Sequence, residues 1–197
     1  MFGAYPLFKR NIDVLLSLIA LVVLSPLFIL VSILIYFSSP GNIYYRQIRV
    51  GKEGVHYQMY KFRSMYQNSE KNTGPIWASR EDKRITPIGR VMRKFHLDEI
   101  PQFFNVLIGD MSIVGPRPER PEIVKNIMEE IPDYLNRTKI KPGITGWAQV
   151  HGVYDKNLDD VSLKLKKDCY YIENCSIVFD IKILFLTLMK IIKGQGV

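Results

Sequence analysis

The strongest pattern in the chain is an apolar run, VLLSLIALVVLSPLFILVSILIYF, that extends 24 residues from Val14 to Phe37 without a charge. At about 1.5 Å of rise per residue, such a helix is long enough to cross a hydrocarbon layer of about 30 Å. The segment is expected in lipid. A cleaved signal peptide fits less well, because the run exceeds an ordinary h-region and lacks a small-x-small exit before Ser38-Ser39-Pro40. Pro26 falls mid-run, where it removes a backbone donor and clashes with the preceding turn, while Ser25 offers a compensating hydroxyl. A sharp bend at Ser25-Pro26 follows. Lys9 and Arg10 flank one end, and Arg46, Arg49 and Lys52 the other, so the positive-inside rule does not assign the ends to opposite faces. A re-entrant pair of half-helices and a kinked spanning helix both satisfy these constraints.

Beyond the run the period changes. Ile43 to Arg49 and Val55 to Phe62 are rich in β-branched and aromatic residues, and Gly51-Lys52-Glu53-Gly54 between them supplies turn chemistry, so the spacing predicts a hairpin. Gln67 to Arg84 is polar, with Gly74-Pro75 inside it, and reads as a connector around the Ile76-Trp77 pair. Helical apolar spacing returns at Ile88 to Phe95, Ile100 to Ile108 and Pro121 to Leu135. Ile177 to Ile192 is apolar on most sides and reads as a core helix or a membrane-surface helix. There is no internal repeat. The fold class expected is α+β, mainly α, with residues 1–40 as a membrane anchor and 41–197 as one cytosolic unit.

Composition narrows the function. With 197 residues the chain suits one modest domain, and 47% hydrophobic residues argue against disorder. An excess of 27 Lys+Arg over 19 Asp+Glu, net +8, points to an anionic partner: nucleic acid, acidic lipid or a phosphorylated substrate. Cys169 and Cys175 cannot build a disulfide framework or a thiolate zinc site, and His56, His96 and His151 lack metal-ligand spacing. The P-loop, the dinucleotide G-x-G-x-x-G, the H-E-x-x-H motif and an Asp-x-Asp sugar-nucleotide motif are all absent.

The densest polar constellation is Arg90, Arg93, Lys94, Asp98 and Glu99, then Asp110 and Arg117, with Lys61 and Arg63 upstream. Asp98-Glu99-Ile100-Pro101 reads as a helix start, with Asp98 at the N-cap and Pro101 in the first turn. Free amides there attract anions, and a phosphate beside Asp98 requires a divalent cation or the arginines to offset repulsion. Acidic residues in a first turn are equally at home as plain dipole partners. Arg117, between two prolines, can fork onto phosphate oxygens or end an ordinary exposed turn. Lys61 and Arg63 alternate along a strand and so share a face, either phosphate-facing or solvated. The rigid loop Lys141-Pro142-Gly143-Ile144-Thr145-Gly146-Trp147 suits an interfacial anchor or packing.

Four long ordered segments carry a resemblance: Tyr60-Lys61-Phe62-Arg63-Ser64-Met65, Leu97-Asp98-Glu99-Ile100-Pro101-Gln102-Phe103-Phe104-Asn105-Val106, Gly109 to Pro118, and Lys141 to Val150. They closely resemble the bacterial sugar transferases, and more narrowly the monotopic polyprenyl-phosphate phosphoglycosyltransferases. The likeness runs from Ser25-Pro26 through Tyr45-Arg46-Gln47-x-Arg49-Val50-Gly51 to the last helix. It implies transfer of a sugar-1-phosphate from a UDP-sugar to undecaprenyl phosphate with release of UMP, using Mg²⁺, at the cytoplasmic face of the bacterial inner membrane. It also implies a re-entrant anchor at Ser25 and Pro26, amphipathic helices on the membrane surface, and a role in glycoconjugate or exopolysaccharide synthesis. Nucleic acid is not an expected partner, and a homodimer is left open.

Carried onto this chain, the family's acidic dyad falls on Asp98 and Glu99, as catalytic and metal-binding residues, with Asp98 the nucleophile that forms an aspartyl phosphosugar. Its helix arginine falls on Arg93 and its Gly-Pro-Arg-Pro arginine on Arg117; with Lys61 and Arg63 these form the expected substrate-binding set. Two departures stand out. Many relatives read Val-Asn-Gly-Arg where this chain has Val150-His151-Gly152-Val153, and the chain begins only a dozen residues before the anchor, as a minimal catalytic form would. Rival readings are a membrane-linked nucleotide-sugar hydrolase, which gives water the acceptor role, and a non-catalytic basic membrane-binding module.

Overall fold

The computed structural model describes residues 5–67, 69, 82–152 and 157–194. Two helices lead: α1 (Tyr5–Val23) and α2 (Ser25–Ser38). They are bent by 62° at Leu24, and among the described residues no single helix is long and apolar enough to cross a membrane, whereas this bent pair passes that test jointly. The bend has a local cause. Pro26 has no N–H for the Val22 carbonyl four residues before it, and the Ser25 hydroxyl donates to that carbonyl instead, at 2.8 Å.

The start of α1 is polar and docked rather than lipid-like. Lys9 Nζ pairs with Asp180 at 2.7 Å, and Arg10 donates to the carbonyls of Val106 and Leu107. Asp13, only 6% exposed, accepts from the Ser112 hydroxyl at 2.7 Å and from Ile113 N–H at 3.1 Å. The apolar run therefore marks only part of a helix that begins nine residues earlier. Val31 and Ile35 of α2 are buried against Phe62, Met92 and Ile100, each contributing about 1.5–3 kcal/mol of burial.

The hairpin forms as expected: β1 (Tyr44–Val50) pairs antiparallel with β2 (His56–Phe62), placing Tyr45 opposite Lys61. Then come α3 (Pro87–Lys94), α4 (Gln102–Ile108), β3 (Ser112–Val114), α5 (Pro121–Glu130), β4 (Gly143–Thr145), α6 (Trp147–Val150), α7 (Leu158–Asn174) and α8 (Ile177–Ile192). The α+β, mainly helical class holds. The helix expected over Pro121 to Leu135 ends earlier, at Glu130, because Pro132 begins a separate 3-10 stretch, Pro132–Thr138. The connector expected around Gly74-Pro75 and Ile76-Trp77 lies outside the described residues.

A second, three-residue sheet pairs β3 with β4 in parallel. Its strands approach so closely that a Cβ on Gly143 would lie 2.1 Å from Gly115 N, so only glycine fits there. This pairing fixes where the chain leaves β3 and so where the Gly115-Pro116-Arg117-Pro118 loop begins. The core beneath it gathers Tyr57 and Met59 of β2, Val106 of α4, Met111, Ile113 and Val114, Tyr171 of α7 and Ile183 of α8.

Candidate active site

Pro101 sets the geometry of the acidic pair. It offers no N–H to the Leu97 carbonyl, which Ile100 N–H takes instead at 3.3 Å. The chain therefore passes Leu97–Glu99 as a tight 3-10 turn before entering α4. The expectation that Asp98 caps a helix is thereby corrected: Pro101 holds the N-cap position of α4, and Asp98 lies three residues earlier. His96 enters the turn with φ at 55°, a left-handed conformation costing about 1–3 kcal/mol that allows the chain to reverse out of α3.

Both carboxylates are 6% exposed, yet their partners differ. Glu99 Oε1 receives Lys61 Nζ at 2.8 Å and Arg117 Nη2 at 2.7 Å, and its Oε2 faces Arg117 Nη1 at 3.5 Å and His96 Nδ1 at 3.9 Å. Burial alone would raise its pKa, but Arg117 and Lys61 outweigh burial and hold it well below the usual carboxylate range. Asp98 has no hydrogen bond or ion pair among the described residues. Burial pushes its pKa up, against the opposing fields of Lys61, Arg93 and Arg117. One carboxylate is saturated; the other is available.

The cations arrive from separate elements. Lys61 comes from β2, whose free edge is held by Asn105: its side-chain oxygen accepts from Tyr60 N–H at 2.9 Å and its amide donates to the Gln58 carbonyl at 2.7 Å. Asn105 thus stands in for a neighbouring strand. Arg93, on α3, donates from Nε to the Ser64 hydroxyl at 2.9 Å, which leaves its terminal amino groups for an anion. Arg117 remains 37% exposed at the mouth of the cluster, its positive charge reinforced by Glu99.

The structure therefore brings Asp98, Glu99, Lys61, Arg93 and Arg117 together and leaves other candidates apart. The shared face expected of Lys61 and Arg63 is not realised, because β2 ends at Phe62 and the alternation stops there. Arg63 is instead buried, with its guanidinium donating to the carbonyls of Ser39 and Pro40 at 2.6 and 2.7 Å, where the chain leaves α2. Arg90 and Lys94 are exposed, and Asp110 contacts Asn105 at 3.4 Å. Trp147 packs on Phe179, with Lys182 above its ring. Val153 lies outside the described residues.

A set of buried charges escaped the sequence reading. Glu119 pairs with Lys164 and Arg49, and Arg137 pairs with Asp168 at 2.7 Å. The available signal was Lys164 and Asp168, which occupy inward positions of α7 among Val161, Tyr171 and Ile172.

With this geometry in view, comparison with known sequences is decisive. The profile of the bacterial sugar transferase family matches residues 4–194. The chain belongs to that family. Among its relatives is a UDP-N-acetylgalactosamine-undecaprenyl-phosphate N-acetylgalactosaminephosphotransferase of Aeromonas hydrophila, 46% identical over 98% of this chain and 45% of the relative. A UDP-glucose:undecaprenyl-phosphate glucose-1-phosphate transferase of Escherichia coli K12 is 40% identical over 95% of this chain and 41% of the relative. The chain thus spans less than half the length of those two. An exopolysaccharide production protein, PSS, of Rhizobium leguminosarum bv. phaseoli is 38% identical over 95% of this chain and 97% of its own length. In this member of the sugar transferase family, the matched segment contains the whole charged cluster.

As a metal centre the cluster is sparse. Among the described residues no three His, Cys, Asp or Glu side chains form a ligand group. Asp98 offers an unengaged carboxylate, whereas the Glu99 oxygens already meet Lys61 and Arg117.

Proposed function

We propose that this chain transfers a sugar-1-phosphate from a UDP-sugar to undecaprenyl phosphate, giving undecaprenyl-diphosphate-sugar and UMP, at the start of polysaccharide assembly on the membrane. The observation that carries the proposal is the buried, unpaired carboxylate of Asp98 surrounded by Lys61, Arg93 and Arg117. An oxygen of Asp98 attacks the sugar-bearing phosphorus, the bond from that phosphorus to the bridging oxygen breaks, and UMP leaves with the electron pair. A phosphate oxygen of the lipid then attacks the same phosphorus and releases the aspartate. Arg117 and Arg93 hold the equatorial oxygens, and Glu99 fixes Arg117 and Lys61 in place.

Magnesium fits this donor set, because it commonly takes only one or two carboxylates and completes its shell with phosphate oxygens and water. Asp98, whose carboxylate is unengaged, is the residue that would hold it, whereas Glu99, the other expected ligand, is already taken up by Lys61 and Arg117. When bound, it supplies charge neutralisation for the diphosphate.

The α1–α2 pair serves as a re-entrant anchor, and residues 41–197 form the catalytic unit at the cytoplasmic face of the inner membrane. Both ends of the pair support this topology: Lys9, Arg10 and Asp13 bond into the same globular body that Arg63 ties to Ser39 and Pro40. The bend carries outward apolar side chains such as Val22, Val23 and Ile29, suited to hydrocarbon.

The test is peptide mass spectrometry of the full chain in a bilayer nanodisc after rapid quenching, with a panel of UDP-sugars and Mg²⁺, in one arm without acceptor and in a second with undecaprenyl phosphate, where lipid product is also measured. The Asp98 peptide is expected to gain one sugar phosphate, and the Asp98→Asn chain none. Lipid product formed without that adduct at the shortest quench overturns the two-step route. Free sugar phosphate without lipid product would instead establish hydrolysis.

A further inference from the structure

The Arg117 loop is held almost entirely from outside itself. Pro116 and Pro118 bring no N–H, so the loop cannot organise itself by its own hydrogen bonds. Yet all four carbonyls from Pro116 to Glu119 find donors. Pro116 O accepts from Gly143 N–H at 2.9 Å and Glu119 O from Val50 N–H at 2.9 Å. The two between them accept from arginine side chains: Arg117 O from buried Arg137 Nη2 at 2.7 Å, and Pro118 O from half-buried Arg49 Nη1 at 3.0 Å.

Each of these arginines is itself fixed. Arg137 donates from Nε to Asp168 at 2.8 Å and from Nη1 to the Tyr134 hydroxyl at 3.0 Å. Arg49 donates to Gln47 at 2.6 Å, faces Glu119 at 3.6 Å, and Gln47 in turn reaches the Tyr45 hydroxyl at 2.9 Å. The motif Tyr45-Arg46-Gln47-x-Arg49 thereby acquires a purpose. Buried ion pairs are weak stabilisers, since desolvation consumes most of their attraction, and apolar residues fill such space at least as well. An apolar residue, however, cannot donate to a carbonyl of a proline-flanked loop.

We propose that Arg49 and Arg137 are positioning residues: by gripping consecutive carbonyls of the loop, they aim the Arg117 guanidinium at Glu99 and at the donor phosphate. The catalytic part of this inference rests on the proposed transfer reaction; the grip itself does not.

Two variants test it, each in the native and Arg117→Ala backgrounds: Arg49→Lys, which keeps the charge beside Glu119, and the double replacement Arg137→Met with Asp168→Leu, which removes a charge pair together. Each is expected to lower kcat/KM about 10- to 100-fold when Arg117 is present, the scale expected for a misplaced catalytic group. In the Arg117→Ala background the loss should shrink to less than about threefold, as coupled residues require. Hydrogen exchange at the Gly143 and Val50 amides, which donate to the Pro116 and Glu119 carbonyls at the two ends of the loop, should quicken about tenfold or more in both variants without any substrate.

Equal losses in both backgrounds, or unchanged exchange, overturn the inference. The two failures are distinguishable. A chain that transfers nothing while its exchange responds refutes the functional reading and leaves the grip standing. Normal transfer with unchanged exchange in both variants does the reverse. Circular dichroism confirms folding, and Arg49→Lys decides the matter if the double variant unfolds.

Discussion

Asp98 and Asp168 are the same residue type, nearly equally closed to solvent at 6% and 1% exposed, and they sit in regions that treat a buried charge in opposite ways. Around Asp168 the chain supplies an answering guanidinium at hydrogen-bond distance. Around Asp98 it supplies positive field from three cations but no bond. Burying an unanswered carboxylate is unfavourable, and the free oxygen of Asp98 is the feature on which the proposed chemistry rests. Burial by itself therefore does not distinguish scaffold from chemistry; the absence of a partner does.

The sharpest way to break this contrast is to neutralise each aspartate. Asp98→Asn is expected to reduce transfer by about 1,000-fold or more, as removal of a nucleophile does, while the thermal midpoint stays level or rises. A fall in both would place Asp98 with the scaffold. Asp168→Ala is expected to do the opposite, destabilising the fold by about 3–5 kcal/mol because Arg137 is left buried and unpaired. Denaturant unfolding measures it, and a stable but inactive Asp168→Ala chain would contradict the division.

A smaller effect is expected where the regions meet. Arg117→Ala should lower kcat about 100-fold, the usual scale for losing one preorganised donor at a developing charge, measured at saturating UDP-sugar. Equal activity would remove Arg117 from the mechanism.

The smallest effect is in the pH dependence of stability, where Asp98 and Glu119 have opposite signs. Burial would raise the Glu119 pKa, but Lys164 and Arg49 outweigh it and hold the carboxyl down at about 2 against an ordinary 4.5. Its stabilisation is therefore complete above about pH 4.5 and is lost as pH falls toward 2. Glu119→Gln should flatten acid unfolding in that window. Asp98, pushed upward, favours the folded chain while protonated and loses that contribution as pH rises through its folded value. Asp98→Asn should thus gain stability near neutrality and little in acid, as thermal melts across pH would show.

The legible parts of this molecule were those governed by local chemistry. The hairpin followed from β-branched residues around a glycine turn, α8 from a long stretch apolar on most sides, and the bend from Pro26. The charged cluster was legible as interleaved signs, although its turn geometry was not, because one missing proline N–H converted a helix start into a 3-10 turn. Helix α7 was obscured by its own buried charges: Lys164 and Asp168 point inward, so the apolar period that marks a buried face is interrupted. Strands β3 and β4, three residues each, are too short to show alternation. The role of Asp13 carries no local signal, since its partners, Ser112 and Ile113, lie about a hundred positions away.

The polar stitching of α1 has a mechanical result. With Lys9, Arg10 and Asp13 fastened to α8, α4 and β3, the bent α1–α2 pair and the globular body move as one lever, so under the proposed anchoring the height of Asp98 above the acyl chains follows from protein geometry. On that proposal a thinner or thicker bilayer is accommodated by lipid deformation or by tilting the entire molecule, while the Asp98 carboxylate keeps a constant offset from the bend at Leu24.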